Sequence, residues 1–202
     1  MKRIALDVKA LPDHAFGHRD PMWWGVMGMI AIEATVFALL IASYYFLRGY
    51  FPEFPTVGIP PEHRLVATVG LALLLLSGGT QYLCNRACLR EELRPARTWL
   101  LITALLTVGF LVCRYFEFKL APLRWDADSY GSLLWMAYGL HTTHGIFGTL
   151  EDGVFLTLFF KGPVEKKHFT DLHANGTYWY FVVASWVVLY GVLYLDPGLF
   201  NR

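Results

Sequence analysis

The chain has 202 residues, of which 55% are hydrophobic, 16% are aromatic and only 16% are charged, and its formal net charge is +1. Soluble domains carry about 25% charged residues, so this deficit excludes an ordinary soluble fold and indicates an integral membrane protein. A net charge this close to zero gives no electrostatic basis for binding nucleic acid, and we expect no nucleic-acid partner.

Five apolar stretches are each long enough to cross a bilayer, which takes roughly 20 residues of α-helix. They predict membrane spans at about 22–47, 65–84, 98–118, 131–160 and 177–195. Backbone groups in lipid must be hydrogen-bonded within their own segment, so each span is predicted to be helical. The predicted fold is an all-α integral membrane bundle of five transmembrane helices, forming one domain over residues 22–195.

Prolines and charges mark the predicted connections between these spans. Four prolines interrupt residues 48–63, and a proline with several charged residues interrupts each of 119–130 and 161–176. Such residues break helices or stay in water, so we expect loops at all three places.

Lysine and arginine are distributed unevenly between the two ends of the predicted bundle. Eleven of them fall in residues 1–21 and in the connections after the second and fourth spans, against six at the opposite end. Because cytoplasmic loops carry the excess of positive charge, the N-terminal segment 1–21 is predicted to be cytoplasmic. With five spans, the short tail 196–202 is then predicted to lie on the opposite side.

Glu33 is the only formally charged residue in the first predicted span. An ionisable group in the middle of a bilayer costs on the order of 3 kcal/mol, and such groups therefore face the interior of a bundle. We predict that Glu33 faces the interior of the protein and contacts polar groups there.

The fourth predicted span carries a stripe of titratable residues. His141 and His144 are three residues apart and share a helix face, and Glu151 follows seven residues later with Asp152 beside it. Three interpretations stay open for this stripe. It could ligate a metal ion, it could carry protons or ions, or its histidines could hydrogen-bond neighbouring helices and Glu33.

The third span contains a possible ion pair, because Glu117 follows Arg114 by three residues near the end of the helix. A haem with two histidine ligands is not expected. His141 and His144 lie on one helix face, and the other five histidines fall in predicted loops or tails. We therefore predict no haem in this chain. We also expect no metal ion, because no second cluster of ligands converges on the stripe.

Four motifs occur in a familiar order. Residues 130–149, YGSLLWMAYGLHTTHGIFGT, contain Tyr-Gly-Ser followed by His-x-x-His and a nearby glycine. Residues 23–46 carry a mid-helix glutamate, residues 113–118 read CRYFEF, and residues 178–190 read YWYFVVASWVVLY. Together they resemble subunit III of haem–copper (cytochrome c) oxidases, in the short five-helix bacterial form.

This resemblance implies a non-catalytic subunit of a respiratory terminal oxidase in aerobic electron transport. Such a subunit flanks catalytic subunit I and subunit II, which carry the haem and copper, holds phospholipid in a cleft between its helices and supports proton uptake. It also implies a multi-pass protein of the bacterial cytoplasmic (inner) membrane with a periplasmic C-terminal tail. The resemblance assigns the buried polar or lipid-cleft positions to Glu33, Glu117, His141 and His144. Candidate proton or partner contacts are Glu151, Asp152 and Arg114.

Two departures keep other functions open. Tyr180 and Val183 stand where the last helix of the family has histidine and aspartate. One alternative is an accessory subunit of a quinol oxidase or a nitric oxide reductase. Another is a small independent proton-coupled transporter that uses the stripe of the fourth span.

Overall fold

The computed structural model describes residues 15–195, so the predicted tail 196–202 and most of the predicted N-terminal segment lie outside the described residues. The described part is all-α and contains no β-strand. After a 3-10 turn at Gly17–Arg19, the long helices are α1 (Pro21–Tyr50), α2 (Pro61–Leu89), α3 (Leu93–Lys119), α4 (Ser129–Lys161) and α5 (Lys166–Tyr190), which continues as a π-helix over Gly191–Leu195.

The helix starts follow from local chemistry. The side chain of Asp20 accepts a hydrogen bond from the N–H of Met22 at 3.0 Å and caps α1, and a proline opens both α1 and α2. Proline suits the first helical position because its missing N–H would have had no partner there. The loop predicted over residues 48–63 is therefore too long, since Pro61 begins α2.

The loop predicted over residues 161–176 is wrong for most of its length, because α5 begins at Lys166. The Nδ1 atom of His168 accepts a hydrogen bond from the N–H of Glu165 at 3.0 Å, as in a capping box. The charged residues that suggested a loop form the first turns of a helix that is longer than its apolar part.

Membrane-spanning character is clear for four of the five helices. α1, α2, α3 and α5 with its π-helical extension are long and apolar enough to cross a bilayer. α4 is the longest helix at 33 residues but is not in this set. The all-α membrane fold is thus confirmed, with four spans supported by length and composition.

The helices do not contribute equally to the interior. α2 packs against α3 and α5, α3 packs against α4, and α1 lies at the edge of the bundle against α5 and α4. The main apolar core includes the fully buried side chains of Phe110, Tyr138 and Trp186. Between the helices, ionisable residues meet at the seam between α1 and the rest and also inside the bundle.

Candidate functional site

Glu33, His144 and Tyr178 meet at the seam of α1 with α4 and α5, and we call these three residues the seam triad. The Tyr178 hydroxyl donates to Oε2 of Glu33 at 2.5 Å, and Nε2 of His144 lies 3.2 Å from the same oxygen. The side chains of Glu33 and His144 are 25% and 11% exposed. Side chains from three helices therefore form one polar group around Glu33 of α1.

The second ring nitrogen of His144 is also hydrogen-bonded, to the backbone of its own helix. Nδ1 lies 2.6 Å from the carbonyl oxygen of Leu140, which can only accept, so Nδ1 carries a hydrogen and donates it. The contact of Nε2 with Oε2 of Glu33 at 3.2 Å is a hydrogen bond when either group carries a further proton.

His141 does not join the seam triad, although it shares the His-x-x-His motif with His144. It is fully buried, its Nε2 donates to the carbonyl oxygen of Val182 at 3.0 Å, and its ring packs 4.8 Å from that of Trp186. The ring centre of Phe37 lies 6.4 Å from that of His141 and 5.3 Å from that of His144, so this side chain of α1 packs against both histidines.

Metal ligation finds no support in this arrangement. Over residues 15–195, no group of three or more His, Cys, Asp or Glu side chains is arranged to hold a metal ion. The two histidines of the motif instead face different neighbours, so the motif does not form one joint site.

Arg114 and Glu117 form the second polar group, an ion pair with side chains only 1% and 0% exposed. The guanidinium carbon lies 3.7 Å from the ring centre of Trp186, 5.0 Å from Phe110 and 5.3 Å from Tyr138. We call these five residues the arginine cluster. Aromatic faces attract a cation, so the rings and the carboxylate together compensate the buried charge.

His63 belongs beside the arginine cluster, whereas the sequence had suggested a loop. It is fully buried in the first turn of α2, and its Nε2 donates to the carbonyl oxygen of Glu117 at 3.1 Å. The prediction that only His141 and His144 lie inside the bundle is therefore wrong. Its cause is the mistaken loop, since Pro61 starts a helix two residues before His63.

Glu151 and Asp152 point to different surroundings. Glu151 is exposed and, with Tyr178 and Asp171, lines a cavity of about 270 Å³ between α1, α4 and α5. Its carboxylate is close enough to that of Glu33 for the two to repel each other. Asp152 is only 4% exposed and accepts a hydrogen bond from the amide of Asn175 at 3.3 Å.

A polar row on α2 was missed by the sequence reasoning. Ser77, Gln81 and Asn85 recur every four residues and are all buried. Ser77 accepts from the indole N–H of Trp179 at 3.1 Å, and the side chain of Asn85 donates to a backbone carbonyl of α5 at 3.4 Å. The four-residue spacing in an apolar helix was the signal that could have found it.

The fold and the two enclosed polar groups define a multi-pass helical membrane protein whose ionisable side chains meet between its helices. The chain matches the family described as cytochrome c oxidase subunit III over residues 1–196, and it belongs to that family. This confirms the resemblance drawn from the four motifs.

Relatives from distant organisms cover nearly all of the chain. It is 26% identical to cytochrome c oxidase subunit 3 of Thermostichus vulcanus over 91% of each chain. It is 31% identical to the protein of the same name from Yarrowia lipolytica, over 95% of this chain and 74% of the relative. The similarity therefore spans the whole bundle and is not confined to one motif.

Proposed function

We propose that this chain is the non-catalytic third subunit of a respiratory terminal oxidase of the cytochrome c type. The single observation that carries this proposal is the family match over residues 1–196. Catalytic subunit I and subunit II would hold the haem and copper and carry out electron transfer. This chain would contribute a packing surface, bound phospholipid and support for proton uptake.

The proposed membrane arrangement has all five helices crossing a bacterial inner membrane, with a cytoplasmic N-terminus and a periplasmic C-terminus. The excess of lysine and arginine at one end supports this direction. α4 has 33 residues and is about 50 Å long at 1.5 Å per residue, which exceeds the bilayer core. Its contact with the middle of α1 through His144 and Glu33 supports a crossing path.

The proposed lipid role rests on the cavity between α1, α4 and α5. Met29 and Phe155 give this cavity an apolar wall, whereas Glu151, Asp171 and Asn175 give it a polar one. Phospholipid has the same division, with acyl chains that suit the apolar wall and a head group that suits the polar wall.

The proposed proton role rests on the seam triad. The carboxyl of Glu33 and the imidazole of His144 lie 3.2 Å apart, so a proton passing between them would cross a single short contact. Glu151 lies beside it and lines the open cavity, which supports a route from the surface to the triad.

The first experiment tests the subunit role. The full chain, carrying an affinity tag, is purified from its membranes in a mild detergent, and the eluate is analysed by absorption spectroscopy and protein identification. We expect a haem spectrum and two larger oxidase subunits in fixed ratio to the chain. Recovery of the chain alone without haem absorption would contradict the proposal.

The second experiment tests the proton role within the purified oxidase. Glu33→Gln removes the titratable carboxyl but keeps its shape, and we expect slower proton uptake during turnover than in the wild type. Thr35→Val is the matched control, because this exposed residue lies on the same helix and its hydroxyl donates to the carbonyl of Ala31 in that helix. Equal proton uptake in both variants would remove the proton role and leave the subunit role intact.

A further inference from the structure

A second cavity lies at the other end of the bundle, where α1 ends and α4 begins. Its volume is about 370 Å³, which is within the range of small-ligand sites. Exposed aromatic residues mark this end of the protein, with Tyr50 71% and Trp125 60% exposed. Such residues collect at the level of lipid head groups, so the cavity opens near the membrane surface.

The charged side chains that line the cavity are all acidic. Glu53 and Asp128 contribute carboxylates, and the residues that line it include no lysine, arginine or histidine. Asp128 is held in place, since its two oxygens accept from the hydroxyl of Thr56 and from the N–H of Gly131, each at 2.6 Å. A fixed carboxylate favours a cation and disfavours an anionic ligand.

Tyr130 supplies an independent indication of a ligand. Its side chain lines the cavity and is only 1% exposed, yet its hydroxyl is buried and has no hydrogen-bond partner among the described residues. Its ring packs edge to face against Phe54 at 5.3 Å, which restricts its movement. A buried hydroxyl without a partner costs about 1–3 kcal/mol, and a ligand that donates a hydrogen bond would remove that cost.

We propose that this cavity binds a primary ammonium group. Such a group has three N–H donors, and the carboxylates of Glu53 and Asp128 and the hydroxyl of Tyr130 offer acceptors for them. Phe51 stands at the entrance with 43% of its surface exposed, and its ring adds an attractive face for a cation. The same chemistry occurs in an ethanolamine lipid head group and in a free alkylamine, and the inference does not depend on the oxidase role.

Two binding measurements separate these sources. In the first, the full chain is released from nanodiscs containing equal amounts of phosphatidylethanolamine and phosphatidylglycerol, and retained lipid is counted by native mass spectrometry. In the second, the chain sits in nanodiscs of phosphatidylglycerol alone, and free ethanolamine is titrated with saturation-transfer NMR as the readout.

The test variants are Glu53→Gln and Phe51→Leu, both at exposed positions, and helix content by circular dichroism checks folding. The matched control is Glu62→Gln, an exposed glutamate at the same end that does not line the cavity. We expect each test variant to weaken ammonium binding about threefold, as suits an exposed ion pair, and the control to bind like the wild type.

The two measurements distinguish a lipid head group from a soluble amine. Enrichment of phosphatidylethanolamine that Glu53→Gln lowers identifies the lipid head group as the ligand. Binding of ethanolamine with the same sensitivity but no lipid enrichment identifies a soluble amine. Retention of both lipids in equal amounts together with no ethanolamine binding, or equal binding by Glu53→Gln and Glu62→Gln, overturns the proposal.

Discussion

The seam triad and the arginine cluster each place a carboxylate inside a membrane bundle, but they compensate it differently. In the arginine cluster a permanent cation pairs with Glu117, and aromatic rings close around it until both side chains are at most 1% exposed. In the seam triad a neutral tyrosine and a titratable histidine meet Glu33, whose side chain stays 25% exposed.

This difference lies in the partner that each carboxylate meets. Arginine does not lose its proton in proteins, so Arg114 is a permanent cation beside Glu117. The seam triad holds no permanent cation, and contacts at hydrogen-bond distance join its side chains across three helices instead. The comparison teaches that one bundle can accommodate a carboxylate by a permanent cation among aromatic rings or by polar neighbours at a partly exposed seam.

The largest expected effect comes from breaking the arginine cluster on one side. Arg114→Leu leaves Glu117 buried without its cation, and we expect a loss of about 3–5 kcal/mol in the free energy of unfolding. The measurement is chemical unfolding in detergent micelles, followed by circular dichroism.

The double variant Arg114→Leu with Glu117→Leu is the control for this prediction. Because it removes both charges, we expect it to recover much of the lost stability. If single and double variants are equally unstable, the aromatic packing of Arg114 matters more than its charge, and the view of the cluster as an ion pair fails.

Gly148 tests the packing that brings α4 to α5 beside the seam triad. A Cβ atom added there would lie 2.7 Å from Cζ3 of Trp179, whose ring is held by its hydrogen bond to Ser77. We therefore expect Gly148→Ala to cost about 2 kcal/mol through overpacking. Thermal unfolding of the detergent-solubilised chain measures this.

Gly153→Ala is the matched control on the same helix, because no atom lies within 4 Å of a Cβ added there. We expect it to be neutral or slightly stabilising, since alanine favours a helix over glycine. Equal destabilisation by both variants would mean that the α4–α5 contact is looser than described.

Tyr178→Phe removes the hydroxyl that donates to Glu33. Hydrogen bonds to charged groups contribute about 1.5 kcal/mol or more, so we expect a loss near 1.5 kcal/mol and a shift of the Glu33 carboxyl band in infrared difference spectra. Tyr180→Phe is the control, because the Tyr180 hydroxyl has no partner among residues 15–195. An unchanged carboxyl band in Tyr178→Phe would remove this tyrosine from the triad.

The smallest expected effect lies outside both polar groups, at the start of α5. The ammonium of Lys167, 2.7 Å away, lowers the pKa of Glu165. The stabilisation from this pair is present at neutral pH. It is lost as the pH falls below the ordinary pKa of glutamate, about 4.3, and through the lowered pKa of Glu165.

A pH series of thermal unfolding checks this prediction. Glu165→Gln should flatten the stability profile slightly in the acid range. Glu92→Gln is the control, since Glu92 precedes α3 without a side-chain cap hydrogen bond and should leave the profile unchanged. A profile identical to wild type in Glu165→Gln would show that the pair contributes nothing.

The sequence predicted the helices well because lipid imposes one rule on every span. Four of the five apolar stretches lie within α1 to α4, and the fifth runs from α5 into its π-helical extension. The two mistaken loop regions have one cause. Pro61 and the charged residues after Glu165 predict helix breaks, whereas proline suits a first turn and charged residues suit a helix end outside the lipid. Composition alone does not distinguish a loop from the start of a long helix.

The sites were harder to predict, because they depend on side chains that are far apart in the sequence. The cost of a charge in lipid indicated that Glu33 needs partners, but it did not identify them. Tyr178 lies at the start of the last predicted span, and its hydroxyl reaches a glutamate 145 positions earlier. The spacing of His141 and His144 suggested one shared site, yet His141 bonds to the backbone of Val182 and His144 contacts Glu33.

Because the chain is synthesised from its N-terminus, the separation of Glu33 and Tyr178 in sequence is also a separation in time. α1 leaves the ribosome well before α5, and at about 5–20 residues per second Glu33 waits roughly 7 to 30 seconds for Tyr178. During that interval the carboxyl of Glu33 has to be protonated, hydrated or held by the insertion machinery. Biogenesis of this bundle therefore includes a stage in which its first helix is only provisionally accommodated, and the closing of the seam completes assembly.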